Sequence, residues 1–278
     1  MKSIVIKIIQ ALIASSTLAL AACGGGSGCP ADNSASPATL ALVGCGGGGV
    51  GGSSPSPPAS TTAEGLWIGS TSTSRTVTGI VLDNGTYWVL YSSPNNSAVI
   101  AGAVQGTGTS LNGSFSSSDA KDFNLEGQGI NNATVSASYN AKQSFNGTVT
   151  FSGSTPSGTF TSTYNPAYEQ TPSLTSVSGT YFGTAAFVGG TEAATVVVTS
   201  TGQITGIGVS GCQFSGNATP HPKGNVFDVV VTFGGGVCSN GSSTVTGIGY
   251  FDATQNRIYS MALNSARSNG FIAVGTKH

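Results

Sequence analysis

From Glu64 to the C-terminus, no stretch of this 278-residue chain sustains a helical period. What recurs is a short run of alternating apolar residues, closed off by glycine, Asx-Gly or Ser-Thr-Gly. In Val226–Phe233, residues Phe227, Val229, Val231 and Phe233 share one face while Asp228 and Thr232 share the other. In Arg257–Leu263, Tyr259, Met261 and Leu263 share a face. Thr86–Ser92 is led by Asp83-Asn84-Gly85, and Asx-Gly before an apolar run is a strong hairpin signal. With 42 glycines to supply turns, the pattern specifies an all-β chain of many short strands.

The strands fall into two series. The first predicts strands at Thr86–Ser92, Leu111–Ser116, Thr134–Asn140, Phe145–Phe151 and Gly158–Tyr164. The second, after Pro172, predicts about eight strands in about 100 residues. Gly65-Leu-Trp-Ile-Gly69 opens the first series and Gly179-Thr-Tyr-Phe-Gly183 opens the second, at an offset of 114 residues. A hairpin follows each, turning at Asp83-Asn84-Gly85 and at Ser200-Thr201-Gly202. The shared order of elements points to a duplication. The expected architecture is two tandem antiparallel domains of about eight strands, barrels or sandwich-like, spanning 64–171 and 172–278.

Ahead of them lie two segments of different character. Residues 1–22 have a positive start at Lys2 and Lys7 and an apolar run from Ile8 to Ala22. That run has the length of a secretory signal and is short for a membrane span, which takes ~20 apolar residues. It ends Leu20-Ala21-Ala22-Cys23, which resembles the lipobox of bacterial lipoproteins. The resemblance implies cleavage before Cys23, acylation of its thiol and amine, and a permanent membrane anchor. It also implies, with Gly24 rather than aspartate after the cysteine, delivery to the outer membrane. Leu42-Val43-Gly44-Cys45 fits the same four-residue pattern but lacks the apolar run before it.

Residues 24–63 contain 11 Gly, 7 Ser and 5 Pro but only one charge, Asp32. Such a segment buries too little apolar surface to offset its ordering entropy, so 23–63 reads as a lipidated tether. Its r.m.s. reach would be ~35 Å, with a limit near ~140 Å. With Cys23 lipidated, four of the five cysteines remain. In an oxidising envelope, spacing suggests Cys212–Cys238 in the second domain and, less firmly, Cys29–Cys45 in the tether. The former closure is worth ~3.5 kcal/mol on a chain-entropy model.

Gly-x-Trp opening an eight-stranded series also resembles lipocalins and the barrel domains of transferrin-binding-protein-like surface lipoproteins. In lipocalins a late arginine packs over that tryptophan, so the resemblance implies Arg257 or Arg267 over Tyr181 in the second half. An eight-stranded barrel is either filled by its own side chains or holds one small ligand.

Charged residues make up 7% of the chain and the net charge is -1, which excludes an electrostatic nucleic-acid binder. No cofactor or metal motif is present. His221, framed by Pro220 and Pro222, reads as a solvated loop. Asp119, Asp122 and Glu126, clustered around Lys121, read as another. No nucleophile elbow precedes a helix, so the expectation is a protein that is not an enzyme. Thr86–Ser92 is apolar on both faces: Tyr87, Val89 and Tyr91 on one, Trp88 and Leu90 on the other. Such a strand needs a core on one side and a partner on the other. The sister domain is the favoured partner. An external ligand is the alternative, with Tyr87, Trp88 and Tyr91 as its candidate binding patch. The expected function is a membrane-anchored envelope lipoprotein binding a protein or small ligand. The alternatives are a periplasmic assembly lipoprotein and, more remotely, an envelope glycan hydrolase using Asp119, Asp122 or Asp228.

Overall fold

The structure is a computed structural model that describes residues 61–153 and 157–278. The predicted signal sequence, most of the predicted tether, and Cys23, Cys29 and Cys45 lie outside the described residues. Two closed antiparallel barrels follow one another. The first comprises β1 (Gly65–Thr71), β2 (Thr76–Val81), β3 (Thr86–Ser93), β4 (Asn96–Thr107), β5 (Thr109–Leu111), β6 (Ser114–Asn124), β7 (Gly129–Asn140), β8 (Ser144–Phe151) and β9 (Gly158–Tyr164). It closes through pairing of β1 with β9 and of β4 with β6. The three-residue β5 pairs only with β6, so eight strands make the wall. A 3-10 turn at Pro166–Glu169 and a single helical turn, α1 (Leu174–Val177), lead into the second barrel. That barrel comprises β10 (Gly179–Phe187), β11 (Gly190–Val198), β12 (Gln203–Gly208), β13 (Gln213–Pro220), β14 (Phe227–Phe233), β15 (Thr244–Asp252), β16 (Arg257–Leu263) and β17 (Gly270–Lys277). It closes by pairing β10 with β17.

The duplication holds at the level of hydrogen bonds. The Gly85 N–H donates to the Leu82 carbonyl at 3.0 Å, and the Gly202 N–H to the Thr199 carbonyl at 2.9 Å. Both glycines are left-handed, at φ 82° and 84°, where an L side chain is strained. The carbonyl of each then accepts from a backbone N–H further along the chain, Gly85 from Gly108 just past β4 and Gly202 from Ala218 in β13. At the barrel floors, Trp67 Nε1 donates to the carbonyl of Ala63 and the Tyr181 hydroxyl to that of Val177, in each case four residues back.

Alternation sorts each strand into an inner and an outer face. Trp67, Val81, Tyr87, Tyr91, Phe115 and Phe145 line the first interior. Phe227, Val229, Val231 and Phe233 line the second. The structure joins Cys212 to Cys238, tying the start of β13 to the loop after β14. The outer faces of β2 and β3 meet those of β15 and β16. Ile80, Trp88 and Leu90 pack with Ile248, Tyr250, Met261 and Leu263 in a continuous buried cluster. The sister barrel is thus the cover for the second face of β3.

Polar contacts seal this apolar seam. Arg267 donates to the Gln105 carbonyl at 2.7 Å and pairs with Asp119 at 3.3 Å, while Lys121 donates to the Arg267 carbonyl at 3.2 Å. His221 Nδ1 lies 2.9 Å from Asp228 and its Nε2 3.4 Å from Asp83.

Several expectations are corrected here. His221 is not a solvated loop residue: its side chain is 12% exposed, clamped between carboxylates of the two barrels. Asp119, Lys121 and Asp122 lie on β6 rather than in a loop, because β6 pairs with β4 to close the barrel. Neither arginine packs over Tyr181. Arg257 sits over Tyr259 at 5.4 Å, Arg267 crosses to the first barrel, and Phe251 meets Tyr181 edge-on. Residues 61–63, placed in the tether by composition, belong to the first barrel: Ala63 is fully buried beneath Trp67.

Candidate functional site

The two interiors are filled differently. The second barrel holds a cavity of about 100 Å³, hemmed in by Tyr181, Phe214, Phe227, Phe233 and Phe271. The first holds about 310 Å³, within the size range of small-molecule sites. Its walls are Val77, Val81, Val89, Val104, Val135 and Val149, with Trp67, Phe115, Phe145 and Phe160 as the aromatic floor. That floor is held by edge-to-face contacts, Phe115 on Phe145 at 5.2 Å and Phe145 on Phe160 at 5.5 Å.

One end of the cavity is polar. Thr71, Thr73, Arg75, Tyr91, Asp122, Asn124, Glu126, Gln128 and Ser157 gather there, where the β1–β2, β6–β7 and β8–β9 connections come together. Arg75 donates to the Ser92 carbonyl at 2.9 Å and to Glu126 at 2.6 Å, and lies 5.5 Å from the centre of the Tyr91 ring. The hydrogen bond and charge of Arg75 hold the Glu126 carboxyl below the usual carboxylate range.

Asp122 sits deeper, at 4% exposure. The Tyr91 hydroxyl donates to Asp122 Oδ1 at 2.7 Å and accepts from Asn124 Nδ2 at 3.3 Å. Asp122 Oδ2 has no hydrogen-bond partner among the described residues, and the residue lines the cavity. Burial pushes the Asp122 carboxyl up to about 6, against the lowering effect of Tyr91 and the more distant Arg75.

The sequence builds this pair by placing small residues opposite large ones. Tyr87 pairs with Gly106 and Tyr91 with Gly102 across the β3–β4 ladder. A Cβ at Gly102 would stand 2.2 Å from the Tyr91 hydroxyl, and one at Gly106 would stand 2.5 Å from that of Tyr87. The two glycines therefore let the phenol rings cross β4 and reach β6. There Tyr91 meets Asp122, and Tyr87 donates to Ser117 at 3.0 Å. Burial raises the Tyr87 hydroxyl to about 12.

Tyr87, Trp88 and Tyr91 do not form one exposed patch. They are 3%, 7% and 9% exposed, and alternation divides them. Trp88 faces the second barrel, while Tyr87 and Tyr91 face the cavity. Nor are the candidate hydrolytic carboxylates brought together. Asp122 lies inside the first barrel, Asp119 bonds Arg267 at the seam, and Asp228 on the second barrel bonds His221. Among the described residues, no group of three His, Cys, Asp or Glu side chains is placed to hold a metal ion.

No protein-family model matches the sequence, and no curated protein matches it. Among solved structures, a Bacteroides fragilis protein assigned to the outer membrane is similar over 77% of this chain and 96% of its own, at 15% identity and a TM-score of 0.23. Transferrin binding protein B from Neisseria meningitidis is similar over 73% of this chain and 52% of its own, at 11% identity and a TM-score of 0.29. The Haemophilus parasuis protein of the same name is similar over 74% of this chain and 51% of its own, at 13% identity and a TM-score of 0.29. This chain spans about half the length of those two proteins, and at these scores the likenesses carry no argument about function.

Proposed function

We propose that this chain is a lipid-anchored envelope protein that binds a small, largely apolar ligand inside its first barrel, without catalysis. The carrying observation is the contrast between the interiors. One duplicate keeps only about 100 Å³, hemmed in by aromatic side chains, while the other keeps about 310 Å³ with apolar walls and a polar mouth. A packed core costs nothing to keep closed, whereas an apolar void forfeits contacts throughout its lining. Keeping the larger void in one duplicate, at that cost, is what a binding site requires.

The test is fluorescence enhancement of N-phenyl-1-naphthylamine, a neutral aromatic probe. The 61–278 region should bind it saturably. The Val149→Trp variant, which projects an indole into the cavity from β8, should lose that binding while keeping its thermal unfolding transition. Equal enhancement in both proteins would remove the interior site. The anchor has its own check. Labelling with an alkyne fatty acid should occur on the full-length chain and disappear in Cys23→Ala. Protease treatment of intact cells then separates the faces of the membrane. Digestion places the barrels outside. Protection until the outer membrane is broken turns the proposal toward a periplasmic assembly role.

A further inference from the structure

We propose that the first-barrel site is selective for small apolar ammonium compounds, with Asp122 receiving the protonated amine and the aromatic floor holding the apolar body. This rests on the reading that the cavity takes a ligand.

Three observations converge on it. First, Asp122 is nearly fully buried yet, among the described residues, has no lysine or arginine in direct contact. Arg75, whose charge reaches Asp122, spends its guanidinium on Glu126 and the Ser92 carbonyl. A buried carboxylate without a counter-charge is costly unless something supplies one. Second, the hydrogen bond from Tyr91 occupies Oδ1 and leaves Oδ2 for a donor arriving through the cavity. Third, the charged groups facing the site are Arg75, Asp122 and Glu126, so with both carboxyls ionised the pocket carries a net negative charge. Phe115, Phe145, Phe160 and Trp67 add ring faces that attract a cation or pack an aromatic body. An anionic ligand meets Arg75 only after breaking its pair with Glu126. A neutral apolar ligand leaves Asp122 unpaired.

The groups facing Asp122 also set the pH dependence. Tyr91 stays protonated, since burial and the neighbouring Asp122 raise its hydroxyl. Glu126 stays ionised well below neutrality because Arg75 lowers it. Asp122 is then the group that changes charge between pH 5 and 7.5, around its raised value of about 6. Ammonium binding should weaken as the pH falls through that value.

The experiment is calorimetric titration of the protein with 2-(1-naphthyl)ethylamine and its uncharged counterpart 2-(1-naphthyl)ethanol. At pH 7.5 the amine should bind about tenfold more tightly than the alcohol, the ordinary worth of one charge-assisted hydrogen bond. The preference should fall to about twofold or less at pH 5, and at pH 7.5 in the near-isosteric variant Asp122→Asn, with alcohol binding retained. If wild type and variant bind both compounds equally, the ammonium assignment is wrong and the cavity reading survives. A preference for 1-naphthylacetate over both would likewise overturn it, in favour of Arg75. If none of the three compounds nor the neutral probe binds, the cavity reading and this inference fall together.

Discussion

Truncating Trp88 to alanine should lower the unfolding free energy by about 3–5 kcal/mol, the ordinary cost of deleting a buried indole. The size follows from where alternation places it. Trp88 is 7% exposed on the outer face of β3, yet that face is interior to the molecule, because Ile248, Tyr250, Tyr259 and Met261 of the second barrel close over it. The hole left by alanine would lie between two rigid walls, neither of which can collapse without breaking its own ladder. Urea unfolding followed by far-ultraviolet circular dichroism measures the loss. Trp88→Phe is the informative partner. Among the described residues the indole N–H has no hydrogen-bond partner, so phenylalanine removes an unsatisfied donor along with part of the ring and should cost less than half as much. A loss below about 1 kcal/mol for Trp88→Ala would mean that the barrels touch without sharing a core, because an exposed tryptophan is truncated at little cost.

The parts of this fold that were legible in the sequence are those written in local chemistry. Gly85 and Gly202 could be read because a left-handed turn position strongly favours glycine. Two such turns, each following a similar five-residue opening, mark the duplication in the sequence itself. The face shared by Tyr259, Met261 and Leu263 was likewise legible as alternation. That a second barrel would cover it followed only for β3, whose two faces are both apolar.

What stayed hidden depends on pairing between distant segments. β4 was missed because Asn96–Thr107 is rich in alanine and glycine and low in strand propensity. Its Gly102 and Gly106 look like breakers until Tyr91 and Tyr87 are seen to occupy the space above them. Asp122 looks solvated in the sequence because three charged neighbours surround it. Alternation sends Lys121 to the seam and Asp122 to the cavity. A usable signal was present: two tyrosines four apart on one strand, facing two glycines four apart on the next. The second duplicate carries more valine and phenylalanine than the first, yet composition alone does not say how much space either barrel keeps. The difference lies in which phenylalanines point inward.

Asp122→Asn should make the protein more stable at pH 7.5 by about 1–3 kcal/mol. The carboxyl is raised from 3.8 to about 6 in the folded state by burial, so the native protein binds this proton more tightly than the unfolded chain does. A group raised in this way contributes stability that is complete below its unfolded value and is lost as the pH climbs through about 6. At pH 7.5 the whole penalty of an ionised, buried carboxylate is present. Asparagine keeps an oxygen for the Tyr91 hydroxyl and carries no charge, so it removes the penalty and retains the bond. At pH 4 the wild-type carboxyl is itself mostly neutral, and the gap between the two proteins should shrink below about 1 kcal/mol. Other carboxylates whose values are lowered, among them Asp83, Glu126 and Glu169, pull stability the opposite way at acid pH. They are common to both proteins and cancel in the difference. Urea titrations of wild type and variant at the two pH values provide the measurement. A variant no more stable than wild type at pH 7.5 would show that Asp122 is satisfied by the protein alone, and the case for a cation arriving from outside would lose its physical basis. A gain that disappears in acid would mark Asp122 as a charge held at a cost to stability, the condition in which a binding residue is kept for a ligand rather than for the fold.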